Sequence, residues 1–108
     1  MKDGQRIYFQ IITPLGKVVQ VSRNHWQKIV TIKHPSVAGR EEEVKKVLSS
    51  PDLIRRSLSD IQVNLYYKKF RSRNLCVVVK QANATGFIMT VYWTNKIKEG
   101  QTIWQRKR

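Results

Sequence analysis

The chain has 108 residues, about the length of one domain and enough for a single hydrophobic core without a disulfide or a metal. Its 21 lysines and arginines against 7 aspartates and glutamates give a net charge of +14, which points to a polyanionic partner: nucleic acid, an anionic membrane surface or an acidic protein. One cysteine excludes an internal disulfide, and the lack of a signal peptide or an apolar run of membrane-spanning length predicts a cytoplasmic protein that does not enter the membrane.

Residues 1–21 are predicted to form a hairpin that precedes the core. The segments 5–12 and 17–21 are rich in apolar and β-branched residues, and they flank Thr13-Pro14-Leu15-Gly16, a sequence typical of a tight turn. Because an isolated hairpin is only marginally stable, we expect this one to pack on the rest of the chain or on a partner.

The next segment predicts an unbroken helix from Ser22, a good N-cap, to Pro35, which moves the preceding residue out of the helical region. The helix has an apolar stripe of four side chains, Trp26, Ile29, Val30 and Ile32. His25 and His34 are nine residues apart. At about 100° per residue they lie on opposite sides of an ideal helix, so only one of them can face a given cleft.

The two histidines carry different expectations. His25 lies nearer the centre of the apolar stripe, which favours a partly buried side chain satisfied by a hydrogen bond over a role in a site. His34 lies at the helix end, where the negative end of the helix dipole favours a protonated imidazole. That position suits a general acid or a phosphate contact, and it also suits a histidine that is simply solvated.

A second helix is predicted over residues 37–49. The acidic run 41–43 falls in or near its first turns, where the helix dipole favours anions, and it is spaced for surface ion pairs from Glu41 to Lys45 and from Glu42 to Lys46. This acidic face is expected to point to solvent, away from any bound polyanion.

Four strands are predicted next, at residues 53–58, 63–70, 75–80 and 86–94, joined by short polar turns. Short connections allow neighbouring strands to pair antiparallel, so the pattern predicts a four-stranded meander. Cys76 is expected to be a buried structural thiol, because apolar surroundings raise the pKa of a thiol. The chain is therefore predicted to be a single α+β domain with the hairpin at 1–21, a core of two helices and the antiparallel meander at 22–95, and a basic tail at 96–108.

The strand at 86–94 has the most suggestive pattern. Read with a period of two, it predicts one apolar face and one face that becomes rich in hydroxyl groups. The apolar face consists of Phe87, Met89, Val91 and Trp93, and the other face consists of Ile88, Thr90, Tyr92 and Thr94. Hydroxyl groups on a rigid strand suit a site, although an ordinary sheet strand has a similar composition.

The basic charge is concentrated in the same half of the chain. No acidic residue occurs between Ile61 and Lys98, and seven basic residues do: Lys68, Lys69, Arg71, Arg73, Lys80, Lys96 and Lys98. Three tyrosines are interleaved with them, Tyr66, Tyr67 and Tyr92. Exposed aromatic rings stack on bases, so this combination favours RNA among the possible polyanions.

Six short motifs occur in a fixed order along residues 22–95: His25-Trp26, His34-Pro35, Pro51-Asp52-x-Ile54/Arg55-x-Ser57, Leu65-Tyr66-Tyr67, Val77-Val78-Val79-Lys80 and Gly86-Phe87-Ile88-x-Thr90-x-Tyr92-x-Thr94. In this order they resemble the barnase, EndoU, colicin and RelE-like nuclease superfamily, and more closely its small phage and bacterial members, which are found as toxin-like domains. The resemblance implies a metal-independent ribonuclease on a small α+β fold with its site on a sheet face. It also implies an antitoxin or immunity protein as a possible partner.

The residue inventory can be compared with what RNA cleavage needs. RNA carries its own nucleophile, the 2′-hydroxyl, so an enzyme needs a base, an acid and positive charge near the phosphate, with no metal or cofactor. The acidic residues are too scattered for the paired carboxylates of a metal-dependent nuclease, and one cysteine with two distant histidines is a poor zinc-binding set. We therefore expect no cofactor.

These considerations predict a toxin-like RNA endonuclease. The catalytic candidates are His34 as acid or base, Arg55 on the phosphate, Thr90 and Tyr92 as positioning groups, and Ser57 and His25. The residues expected to bind RNA are Lys80, Lys68, Lys69, Arg71, Arg73 and Tyr66. Two alternatives use the same charge: a non-catalytic RNA-binding module, and a basic protein that docks on an acidic protein and needs no hydroxyl row.

Overall fold

The computed structural model describes residues 5–107, which form an α+β structure with two α-helices and one seven-stranded mixed sheet. The elements are β1 (Ile7–Ile12), β2 (Val18–Ser22), α1 (Arg23–Lys28), α2 (Glu41–Ser49), β3 (Leu53–Ser57), β4 (Val63–Phe70), β5 (Arg73–Ala82), β6 (Thr85–Thr94) and β7 (Gly100–Gln105). The strand order is β1-β2-β6-β5-β4-β3-β7. Within the described residues no helix is long and apolar enough to span a bilayer.

The N-terminal hairpin is part of this sheet. β1 and β2 pair antiparallel through a turn in which the amide of Gly16, at a φ of 73°, donates to the carbonyl of Thr13 at 2.9 Å. β2 then runs parallel to the start of β6, from Val18 opposite Thr85 to Gln20 opposite Phe87. The hairpin therefore extends the sheet beyond β6.

The first helix is not the unbroken helix that the sequence predicted. After α1 the backbone widens into a π-helical turn at Ile29–Lys33, closed by the amide of His34 donating to the carbonyl of Ile29 at 2.7 Å. The run 29–32 consists of β-branched residues, which lose side-chain freedom in a regular α-helix, and Pro35 prevents His34 from continuing it. One consequence is that Ile32, predicted to lie in the apolar stripe, is 75% exposed.

The second helix starts later than predicted, at Glu41 rather than near 37. Pro35–Val37 forms a short 3₁₀ turn, and Gly39 adopts a φ of 77°, a conformation that interrupts a helix. The ion pairs also differ from those predicted, because Lys45 pairs with Glu42 at 3.1 Å while Glu41 accepts a hydrogen bond from the Tyr8 hydroxyl at 2.7 Å.

The sheet has one face covered by the helices and one that is not. On the covered face the helical side chains Trp26, Ile29, Val44, Val47 and Leu48 pack in one core with strand residues that include Tyr66, Val77 and Val91. A smaller cluster without helical residues lies on the other face, formed by Leu65, Tyr67 and Cys76 with Leu53, Val78 and Tyr92 against it. We call this second side the open face.

A β-bulge in β6 corrects the predicted faces of that strand. Val78 pairs with Thr90 but Val79 pairs with Ile88, so Met89 is an extra residue and the alternation changes phase there. Ile88 and Val91 consequently both point into the helix-covered core, while Phe87 and Met89 are 46% and 40% exposed. The predicted apolar face is thus split, whereas Thr90 and Tyr92 stay opposite the open-face residues Val78 and Cys76.

The sheet is larger than the predicted four-stranded meander. β3 to β6 lie side by side and pair antiparallel, but β2 adds a parallel strand at one side and β7 pairs with β3 at the other. The segment predicted as a basic tail therefore contains a sheet strand. Its apolar residues Ile103 and Trp104 pack against the helix-covered core.

The connection from β6 to β7, residues 95–99, is an exposed segment that we call the strap. β6 and β7 are four positions apart in the sheet, which is about 19 Å for a flat sheet at the usual strand spacing of about 4.8 Å and less for a curved one. The chain from Thr94 to Gly100 can span at most about 22 Å. The strap is therefore long enough to cross the open face directly.

Candidate functional site

Cross-strand pairing arranges the open face in rows. One row runs from β3 to β6 as Leu53, Tyr67, Cys76 and Tyr92. The next row is Arg55, Leu65, Val78 and Thr90. In a third row Val63 lies opposite Lys80, which lies opposite Phe87. The predicted residues Arg55, Thr90, Tyr92 and Lys80 therefore share one face of the sheet.

His34 meets this face beside β6. Its imidazole lies 5.7 Å from the ring of Tyr92, centroid to centroid, at an interplanar angle of 35°. Within residues 5–107 the imidazole makes no hydrogen bond, so its ring nitrogens are not committed to the described part of the protein. The change from α- to π-helix and the break at Pro35 bring His34 to this position. Tyr92, which it contacts, lies two residues along β6 from Thr90 and on the same face.

The strap adds a cationic residue to the same place. The amide of Lys98 donates to the Tyr67 hydroxyl at 3.1 Å, and Arg55 Nη1 donates to the carbonyl of Lys98 at 3.3 Å. The Lys98 ammonium lies 5.8 Å from the centroid of the Tyr92 ring. We call His34, Arg55, Thr90, Tyr92 and Lys98 the His34–Tyr92 cluster.

The hydroxyl and thiol groups beneath the strap are held in their protonated forms. Burial raises the pKa of Tyr67 to about 12 and that of the Cys76 thiol to about 11. Burial, together with the neighbouring Cys76 and Tyr67, also raises the pKa of Tyr92. At neutral pH the two tyrosines are therefore hydrogen-bond donors, and Cys76 lacks the thiolate that a nucleophile needs.

Several polar atoms of the cluster are buried. Thr90 Oγ1, Tyr92 Oη and Arg55 Nε are buried without a hydrogen bond of ordinary geometry among the described residues. An unsatisfied buried polar group costs about 1–3 kcal/mol, so three on one face call for an explanation. Ser57, in contrast, shares a hydrogen bond of 3.1 Å with the hydroxyl of Ser59 at the end of β3.

The residues predicted to bind RNA are divided between the faces. Lys80 lies on the open face, but its ammonium pairs with Asp60 at 2.6 Å, a contact that lowers the pKa of that carboxyl. Lys69 has an exposed side chain, and Arg71 lies in the β4–β5 turn. Both are thus accessible near one end of the sheet.

The other three members of that set point elsewhere. Tyr66 is fully buried in the helix-covered core and donates a hydrogen bond to Thr13 at 3.2 Å, so it cannot stack on an RNA base in this structure. Lys68 Nζ donates to the carbonyl of Ser50 at 2.8 Å. The guanidinium of Arg73 lies over the ring of Trp93 at 4.9 Å.

His25 contacts the same strand as His34, although an ideal helix would have separated them. Its Nε2 lies 2.8 Å from the carbonyl of Met89 at the bulge. A carbonyl oxygen can only accept, so this nitrogen carries the proton. Lys33 Nζ donates to the same oxygen at 3.3 Å. His25 therefore secures the exposed edge of β6.

Three residues of this region were not among the predicted catalytic or RNA-binding residues. Tyr67 and Lys98 were noted only as part of the basic and aromatic composition, because no local pattern indicates that the segment after β6 returns to the sheet as β7 and carries the strap across it. Lys33 was missed because an ideal helix gives no reason to point it at β6. Among residues 5–107 no three His, Cys, Asp or Glu side chains come close enough to hold a metal ion.

Comparisons with known proteins leave the family open. No family model matches the chain, and neither the curated proteins nor the solved structures contain a significant match.

Proposed function

We propose that the protein is a ribonuclease that cleaves RNA through attack of the 2′-hydroxyl on the adjacent phosphate, with the His34–Tyr92 cluster as its site. The observation that carries the proposal is the imidazole of His34 against Tyr92, on a sheet face that also presents Arg55 and Lys98. The net charge of +14 and the resemblance of the motif order to toxin-like nucleases support it.

Each group has a role in this reaction. Histidine is the side chain that exchanges protons near neutral pH, so His34 would take the proton from the 2′-hydroxyl or give one to the leaving oxygen. Arg55 and Lys98 would stabilise the negative charge that builds on the phosphate. The hydroxyls of Thr90 and Tyr92, which make no hydrogen bond of ordinary geometry among residues 5–107, would donate to phosphate oxygens once local movement admits the substrate.

The test is incubation of the purified protein with RNA in the presence of EDTA. Cleavage that leaves 2′,3′-cyclic phosphate ends, and that disappears when the RNA carries 2′-O-methyl groups, is the expected result, because the methyl group blocks the nucleophile. RNA binding without cleavage would instead support an RNA-binding module. If the protein neither binds nor cleaves RNA, the result would support docking on an acidic protein.

The two histidines provide a matched pair of variants. His34→Ala should lower the cleavage rate about 10²-fold or more with little change in melting temperature, since this is the usual contribution of a general acid or base. His25→Ala should lower the free energy of unfolding by about 0.5–1.5 kcal/mol through the lost bond to Met89, and reduce cleavage far less. If His25→Ala abolishes cleavage in a folded protein while His34→Ala cleaves normally, the assignment is inverted.

A further inference from the structure

A groove lies beside the His34–Tyr92 cluster, between β2 and β6. β2 pairs with β6 only as far as Gln20 and Phe87, because β2 ends at Ser22 and the chain turns into α1. A groove of about 420 Å³ opens where the two strands part, and its lining includes Ile7, Gln20, Lys33, Phe87 and Met89. We call it the β2–β6 groove. Its volume lies in the range of small-molecule sites in proteins.

Three large apolar side chains of the groove are exposed together. Ile7, Phe87 and Met89 are 49%, 46% and 40% exposed, and all three line the groove. An exposed cluster of large apolar side chains, unlike a single one, marks a binding surface. Phe87 presents an aromatic ring, the kind of surface on which nucleobases stack in proteins that bind single strands.

The polar lining is cationic or neutral. Lys33 lies at one side, held near the bulge by its contact with the carbonyl of Met89 at 3.3 Å. Gln5, Gln20 and Ser22 supply amide and hydroxyl groups, and His25 supplies an imidazole whose Nε2 is bonded to the carbonyl of Met89. None of the described lining residues is acidic. This lining is complementary to a phosphate and to the edge of a base, and it offers nothing to pair with a cationic ligand.

The groove lies next to the proposed cleavage site along β6. Met89 lines the groove, and the next residue, Thr90, belongs to the His34–Tyr92 cluster. From Met89 to Tyr92 the strand advances only about 10 Å, so an RNA strand bound at the cluster reaches the groove with a neighbouring nucleotide.

We propose that the β2–β6 groove binds one unpaired nucleobase of the RNA, stacked on Phe87 with an adjacent phosphate at Lys33. This inference rests on the proposed function, and it adds a substrate class. A base in a duplex is stacked and paired on both sides, so only a single strand or an unpaired loop can place one in the groove. The protein is therefore a ribonuclease for single-stranded RNA.

Binding at the groove can be tested without cleavage. Adenosine and uridine 3′-monophosphates are titrated into the full protein while the methyl signals of Ile7 and Met89 are followed by NMR. Both signals should shift in the wild type, shift much less in Phe87→Ala, and shift as usual in Ile32→Ala, whose side chain is 75% exposed and outside the groove. Phe87→Leu keeps the apolar bulk but not the ring, and its signals should shift by an amount between those of the wild type and of Phe87→Ala. This intermediate result separates loss of stacking from a general disturbance of the groove.

Cleavage tests the substrate class separately. Stacking of one base contributes about 1–3 kcal/mol, so Phe87→Ala should lower kcat/KM on a single-stranded oligonucleotide about 10-fold. The ratio of kcat/KM for the single strand to kcat/KM for a duplex of the same sequence should fall as well. Duplex RNA cut as well as the single strand would overturn the inference.

The outcomes separate the two proposals. A wild type that shifts with nucleotides but cuts no RNA contradicts the proposed ribonuclease and leaves the base-binding groove standing. A wild type that cuts RNA but shows no shift at Ile7 and Met89 contradicts the groove alone. A shift caused by polyglutamate and by neither nucleotide would make the groove a protein-docking surface and overturn the inference.

Discussion

His25 and His34 both lie against β6, but their chemical situations differ. The Nε2 of His25 donates to the carbonyl of Met89, whereas the His34 ring packs on Tyr92 without a hydrogen bond among the described residues. A histidine that is hydrogen-bonded to a backbone carbonyl stabilises the fold, because breaking that hydrogen bond costs free energy. A histidine with uncommitted nitrogens on a cationic face can exchange protons with a substrate, which is why the proposal assigns catalysis to His34.

Tyr67 and Tyr92 lie beneath the strap and make different contacts there. The Tyr67 hydroxyl accepts the Lys98 amide at 3.1 Å, so Tyr67 fixes the strap, while Tyr92 supports the His34 ring. Burial is the main reason that the pKa of each is raised, and both hydroxyls therefore keep their protons across the physiological range. Neither can serve as a base at neutral pH.

The raised pKa of Tyr67 predicts how stability responds to alkali. Below pH 10.0 this tyrosine is protonated in the folded and unfolded states, and its contribution is fully present. Between pH 10.0 and about 12 it ionises only in the unfolded state, so folding loses stability as the pH rises. We therefore compare the free energies of unfolding of the wild type and of Tyr67→Phe, measured with urea. Their difference should be constant below pH 10, and above it the wild type should lose stability relative to the variant. The comparison cancels the titration of the lysines. A difference that stays constant up to pH 12 would contradict the burial of Tyr67.

At the scale of elements, the sequence patterns predicted the features that depend on residues close together in the chain. The turn at Gly16, the strand at Val63–Phe70 and the antiparallel pairing of β3 to β6 follow from alternation and turn residues. The bulge at Met89 could not be predicted, since it depends on how β6 pairs with β5. Pairing of β7 with β3 could not be predicted either, because it joins segments distant in sequence.

Gly100 shows how closely the start of β7 approaches β3. A Cβ at this position would overlap the carbonyl oxygen of Arg56 on β3. Gly100→Ala should therefore push β7 from β3, loosen the strap and lower the free energy of unfolding by about 1–3 kcal/mol, the usual cost of overpacking. Gln101→Ala, at the exposed next position, is the control and should change stability by less than about 0.5 kcal/mol. Equal stability of both variants, measured by urea unfolding, would show that β7 adjusts without cost.

The acidic run of the chain lies on one side of the molecule. The acidic run Glu41–Glu43 belongs to α2, which packs on the covered face and pairs with basic neighbours there. The open face carries Arg55, Lys80 and Lys98, and its acidic groups are Asp60, paired with Lys80, and Glu99 on the strap. A polyanion bound at the His34–Tyr92 cluster on the open face is therefore away from the acidic run of α2.

The candidate site could be predicted from the sequence only in part. Thr90 and Tyr92 were found because a strand pattern places them two residues apart on one face, and the bulge lies just before them. Tyr66 and Tyr67 could not be told apart, since adjacent residues of a strand point to opposite faces and the pattern at Val63–Phe70 does not show which face the helices cover. Lys98 depended on the strap, and thus on long-range pairing.

The cationic groups of the open face predict the salt dependence of RNA binding. Each phosphate contact on a single strand contributes about −0.7 to the slope of log affinity against log salt concentration, because it releases counterions. With about four or five contacts from the open face, the slope should be about −3 for 2′-O-methyl RNA, which binds without being cut. Lys98→Ala should weaken binding and reduce the magnitude of the slope by about 0.7, since the ammonium over Tyr92 lies on the face where the strand passes. Lys46→Ala removes the same charge from α2, on the covered side, and should leave the slope unchanged. Fluorescence anisotropy between low and physiological salt measures all three proteins. If the two variants lose the same slope, RNA is attracted by the net charge of the whole molecule and the open face is not its binding surface.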